Sequence, residues 1–76
     1  MTPEERDIAA LDDPDITEQQ VVEIYNRIDS FSEENKKRAA LSLRTYWESH
    51  GKWKKKDCSK KQLVKVQKVK TILGEV

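Results

Sequence analysis

The chain carries one cysteine, Cys58, so no intrachain disulfide can staple it. A lone thiol points to a reducing, intracellular setting, and the expected location is cytoplasmic. No apolar run is longer than a few residues, which excludes a helix that spans a bilayer. The first residues are acidic, unlike a signal peptide, and no membrane role is expected. Glycine and proline number only 2 each, and no stretch alternates with period two, so turn-rich and all-β architectures have little support. Apolar residues make up 36% of the chain and charged ones 38%. A core of this kind is thin, because a chain this short buries only about 60% of the surface its unfolded form exposes. A deep catalytic cleft is hard to build from it, and the chain is expected not to be an enzyme.

What is present is charge, and it is split between the two ends. Residues 1–50 carry 12 Asp/Glu against 6 Lys/Arg, a formal net of −6. Residues 51–76 carry 9 lysines against Asp57 and Glu75, a net of +7. The total of +1 conceals two poles. Either one pole meets a charged partner or the poles meet each other, and helix 2 acids are placed to neutralise helix 4 lysines within one molecule.

Helix-start signals are dense. Thr2-Pro3-Glu4-Glu5 offers an N-cap, a proline at the first helical position and a glutamate at the third. Thr17-Glu18-Gln19-Gln20 repeats the capping box, with Ile16 and Val21 in hydrophobic-staple positions. Ser59-Lys60-Lys61-Gln62 is a third box, with Cys58 and Leu63 as its staple. Ser30-Phe31-Ser32-Glu33 is a fourth, with Ser32 a competing cap. Each precedes an apolar periodic segment, so the expected fold is all-α, a small bundle of three to four helices in one domain, 1–76. The helices are expected at about 3–11, 18–29, 31–50 and 60–73. The first, short and buried only through Ile8 and Leu11, is expected to be loosely held. Gly51 and Gly74 stand where helices 3 and 4 should end. The expected core is Ile24, Tyr25, Ile28, Leu43, Tyr46, Trp47, Leu63, Val66, Val69 and Leu73.

The candidate site is the lysine-rich segment. Lys52, Trp53, Lys54, Lys55 and Lys56 fall in the connection between helices 3 and 4. Lys60, Lys61, Lys65 and Lys68 are expected opposite the apolar stripe of helix 4, so loop and helix join into one positive surface. Such a surface attracts phosphates and gains from counterion release, and Trp53 is a candidate stack for an exposed base. The competing reading is a solvated lysine face with Trp53 folded back onto the core. The basic segment lacks arginine, the residue that most often reads guanine by two hydrogen bonds. Lysine acts more as a point charge, so weak sequence preference is expected. Helix 3 carries Glu33, Glu34 and Glu48 on its outer side and is a poor recognition helix.

Other chemistry finds little support. His50 and Cys58 alone do not make a zinc signature, and no metal site is expected. His50 is better read as the cap of helix 3. As a catalytic pair the two lack an orienting group, and no catalytic residue is assigned. A calcium loop starting at Asp13 would need glycine at its sixth position and glutamate at its twelfth, where the chain has Glu18 and Ile24. No glycine-rich phosphate loop is present, and neither a cofactor nor a small-molecule substrate is expected. The function expected is a small non-enzymatic module that binds DNA or RNA. The alternative is an adaptor that meets a protein partner, or a second copy in a homodimer, through its charged poles. Leu41, Val22 and Ile72 lie off the main apolar stripes and would mark such an interface if they gathered.

Overall fold

Thr2 accepts a hydrogen bond from the Glu5 amide at 3.2 Å, while the Glu5 carboxylate accepts from the Thr2 amide at 3.2 Å. This complete capping box starts α1, Pro3–Leu11. Thr17 and Gln20 make the same reciprocal pair at the head of α2, Glu18–Arg27. Ser32 caps α3, Glu33–Ser49, and Ser59 caps α4, Lys60–Ile72. These details come from a computed structural model that describes residues 1–75. Among the described residues there is no strand, and the fold is a small all-α bundle.

Several boundaries differ from expectation. Helix 2 was expected to reach residue 29, but it tightens at Ile28–Ser30 into a 3-10 turn. There the Ser30 hydroxyl donates to the Arg27 carbonyl at 2.7 Å instead of capping the next helix. Helix 3 therefore starts after Ser32, and Phe31 is left as an extended residue buried in the core. Helix 4 ends one residue early, at Ile72. The Ser59 box is only half made. Gln62 does not reach back to Ser59; its amide donates to the Lys52 carbonyl at 3.1 Å.

Both glycines act as expected. Gly51 has φ +68°, the left-handed conformation that costs glycine least. The amides of Gly51 and Lys52 return to the carbonyls of Glu48 and Trp47, closing a Schellman motif. Gly74 and Glu75 repeat it on Thr71 and Lys70.

The core joins all four helices: Ile8 and Leu11 of α1, Val21, Ile24 and Tyr25 of α2, Ala39, Ala40, Leu43 and Trp47 of α3, Val66 and Val69 of α4. Trp47 is 1% exposed and lies 6.0 Å from the Tyr25 ring centroid. Tyr46, Leu63 and Leu73, expected inside, are only half-buried. Tyr46 and Leu73 pack against the core from its edge, while Ala39 and Ala40 of α3 are fully buried. Nor is α1 loose. Asp7 accepts two hydrogen bonds from Arg27, at 2.8 and 3.1 Å. Asp12 accepts one from Ser42 at 3.1 Å. Glu4 accepts from the Ser32 amide at 3.0 Å and from the Asn35 side chain at 2.9 Å. In α3 the third position is Asn35, too short to close a capping box, and Glu4 completes it from another helix. Those bonds, Asn35 first and then the Ser32 amide, hold the Glu4 carboxyl below its ordinary range.

Candidate nucleic-acid interface

The connection from Gly51 to Ser59 is fastened at one point. The Lys52 carbonyl accepts from the Cys58 thiol at 3.3 Å and from the Gln62 amide at 3.1 Å. Between these anchors the chain bends through a 3-10 turn at Lys55–Asp57. That turn holds Lys54, Lys55 and Lys56 outward, all three exposed. Lys60 and Lys61 follow in the first turn of α4, also exposed. This turn contains no acid, although the positive end of a helix dipole favours one there.

The remaining candidate residues have other company. Lys52 pairs with Glu18 at the head of α2, and this bond holds the Glu18 carboxyl below its ordinary range. Lys68 pairs with Asp29 at 2.6 Å, with the same effect on Asp29, and its ammonium lies 4.9 Å from the Tyr25 ring centroid. Lys65 also leans on that ring, at 6.0 Å. Lys65 and Lys68 are half-buried against α2 rather than standing on a solvated face. The Tyr25 ring of α2 and the Asp29 carboxylate of the 3-10 turn that follows it draw these side chains in. Trp53 is half-buried and packs against the core, with Arg44 and Lys70 over its ring at 5.4 and 5.5 Å. Arg44 also binds Glu48 and Glu75, which raises its already high pKa.

The structure thus divides the segment. Lys54, Lys55, Lys56, Lys60 and Lys61 form an exposed group with no ion pair among the described residues, and Asp57 is the one acid within it. Beside it lies a cleft of about 340 Å³ between the heads of α2 and α4, lined in part by Lys52, Lys61, Lys65, Glu18 and Asp57. Its mixed charge makes it a poor pocket for a free anion. Sequence reasoning missed Gln62, which positions the loop, and took it only as a capping residue. The signal was present: a glutamine inside a box can bond elsewhere when the approaching loop offers a carbonyl.

Elsewhere, His50 caps α3 and stacks on Tyr46, with ring centroids 4.1 Å apart and Nδ1 2.8 Å from the Tyr46 carbonyl. No group of three potential metal ligands occurs among the described residues. The acidic linker makes an Asx turn, Asp15 N–H to Asp13 at 2.9 Å. No helix among the described residues is long and apolar enough to cross a membrane. Compared with protein-family models, curated proteins and solved structures, the chain gives no match in any of the three.

Proposed function

We propose that this chain is a small non-enzymatic binding module whose lysine-rich segment engages nucleic-acid phosphates with weak sequence preference. One observation carries the reading: Lys54, Lys55, Lys56, Lys60 and Lys61 stand exposed and unpaired, among the described residues, within one short stretch. Two of them occupy the helix position where a cation is least favourable. Phosphates crossing this surface would relieve both the mutual repulsion of the lysines and the conflict with the dipole. Lys52, Lys65 and Lys68 support the surface from its flank, already engaged with α2. Trp53 serves the fold in this reading, since Arg44 and Lys70 already lie over its ring.

The test is a binding titration with single- and double-stranded DNA and RNA over a range of salt. Five phosphate contacts on duplex DNA give a slope of log affinity against log salt of about −4 to −5. Lys55→Glu with Lys61→Glu should abolish binding at near-physiological salt. Unchanged affinity in that double variant would refute the assignment of this surface.

A protein partner is the second reading, favoured by Leu41, which is 54% exposed on the outer side of α3. In that case Leu41→Asp, and not the lysine changes, would disrupt assembly. Among the described residues the exposed large apolar ones are Met1, Leu41 and Val64, far apart in the sequence, and they do not by themselves define a seam.

A further inference from the structure

The outer face of α4 has a composition of its own. Lys60, Val64, Gln67 and Thr71 are spaced i, i+4, i+7 and i+11, which is one stripe of an α-helix, and all four are exposed. Val64 is 67% exposed, so its methyl groups are free for an outside contact. The Thr71 hydroxyl donates to the Gln67 carbonyl at 2.9 Å, so its methyl and not its proton is the group left for an outside contact. No acid occurs anywhere in α4. By contrast, the outer side of α3 carries Glu33, Glu34 and Glu48, and exposed acids also mark α1 and α2.

These are the side chains that read base edges. Glutamine pairs with adenine through two hydrogen bonds, apolar groups meet the thymine methyl, and lysine donates to guanine. The 13 residues of α4 span about 20 Å at the standard rise. The major groove of B-DNA is about 12 Å wide and admits a helix. The deep, narrow groove of A-form RNA does not present its bases to side chains. An acid-free helix with an exposed stripe of this kind therefore suits duplex DNA better than RNA. Lys54, Lys55, Lys56, Lys60 and Lys61 lie at its N-terminal end, placed for the phosphates that border the groove.

We infer that α4 enters the DNA major groove and supplies what sequence preference the protein has, Gln67 on an adenine and Val64 and Thr71 on thymine methyls. This rests on the phosphate-binding reading above and names its partner as duplex DNA. The preference is modest, about tenfold over a mismatched site for one good two-bond contact.

The experiment is selection by the full chain from a random DNA duplex pool about 20 base pairs long, two helical turns. Anisotropy titrations of the enriched and scrambled duplexes follow, with the same sequence as RNA duplex alongside. Enrichment of a short A·T-containing site is expected, bound about tenfold more tightly than the scrambled duplex and in preference to the RNA. Gln67→Ala should erase that preference and leave the salt slope unchanged; circular dichroism checks that this exposed variant stays folded. Replacing thymine by uracil in the site should weaken the wild-type chain and leave a Val64→Ser, Thr71→Ser variant unmoved. Salt-sensitive binding with no enriched sequence, or RNA duplex bound as well as DNA, would overturn the groove assignment while leaving the phosphate reading intact. No binding to any duplex at low salt would overturn the groove assignment, and no binding to single strands either would overturn the phosphate reading with it.

Discussion

Lys60→Glu should make the free protein more stable and the bound protein weaker. Lys60 is the first residue of α4, directly after the Ser59 cap, in a first turn that holds no acid. A charge in that turn interacts with the dipole by about 0.3–1 kcal/mol. Because Lys60 is exposed, the lower part of that range applies. The change acts twice, removing an opposed cation and placing a favoured anion, so about 1 kcal/mol is expected. For a domain of this size that raises the melting temperature by about 4–8 °C. Lys60 lies outside the cleft that Glu18 and Asp57 line, so the new carboxylate meets no acid there. Lys60→Ala should give roughly half the gain. Urea and thermal melts read the stability limb. Anisotropy with duplex DNA reads the other, where affinity should fall and the salt slope should shrink by about 1. A variant that melts lower than the parent would refute the dipole reasoning. One that is more stable yet binds DNA as before would remove Lys60 from the interface.

Two further outcomes follow from the packing and the charges. The Glu4, Glu18 and Asp29 carboxyls are all held below their ordinary values, by Asn35, Lys52 and Lys68 respectively. Each therefore contributes stability in full above its unfolded value, 4.5 for the glutamates and 3.8 for the aspartate, and loses it as pH falls through the lowered folded value. Urea midpoints should stay level from pH 7 to about 5 and then fall. Glu4→Gln should blunt that fall, and an unchanged acid limb would mean that its bonds to α3 are not maintained in solution. Leu43→Ala, at a fully buried position, should cost about 2–5 kcal/mol. A core this small supplies only about 3–5 kcal/mol in all, so circular dichroism should show a largely unfolded chain.

Helix starts were legible because their signals are local. A capping residue and its partner lie three apart, so Thr2, Thr17 and Ser59 are recognisable from neighbours alone, whereas Ser32 stood only as a competitor to Ser30. What failed was whatever depended on a distant element. Phe31 was read as the start of a helix, and only the choice of Ser32 over Ser30 as the cap sends it into the core. Glu4 reads as a first-turn acid of α1, but its bonds to Ser32 and Asn35 lie 28 and 31 residues away. The flanks of α4 behaved likewise. Periodicity places Lys65 and Lys68 away from the apolar stripe, but cannot say that α2 arrives there with Tyr25 and Asp29. The exposed lysine group was legible for the opposite reason: a tight turn and a helix head leave their side chains no neighbour to fold against.

That division decides how the two poles act. The expectation that helix 2 acids neutralise helix 4 lysines is met at one point, Asp29 with Lys68, while Glu18 pairs instead with Lys52 of the connection before α4. Neither acid reaches Lys54–Lys56, Lys60 or Lys61. The pairs are exposed, and such pairs contribute about 0–1 kcal/mol each, too little to hold against a row of phosphates on electrostatic grounds alone. Their geometry matters more. They tie the head of α2 to the α3–α4 connection and the 3-10 turn after α2 to α4, across 34 and 39 residues, and so brace the surface from which the free lysines project. If the pairs persist on binding, only the exposed group releases counterions, and the salt slope stays near −4 to −5. If both open, seven lysines take part and the slope steepens to about −6. The slope therefore reports whether the acidic pole competes with the nucleic acid for Lys52 and Lys68 or shapes the surface that binds it.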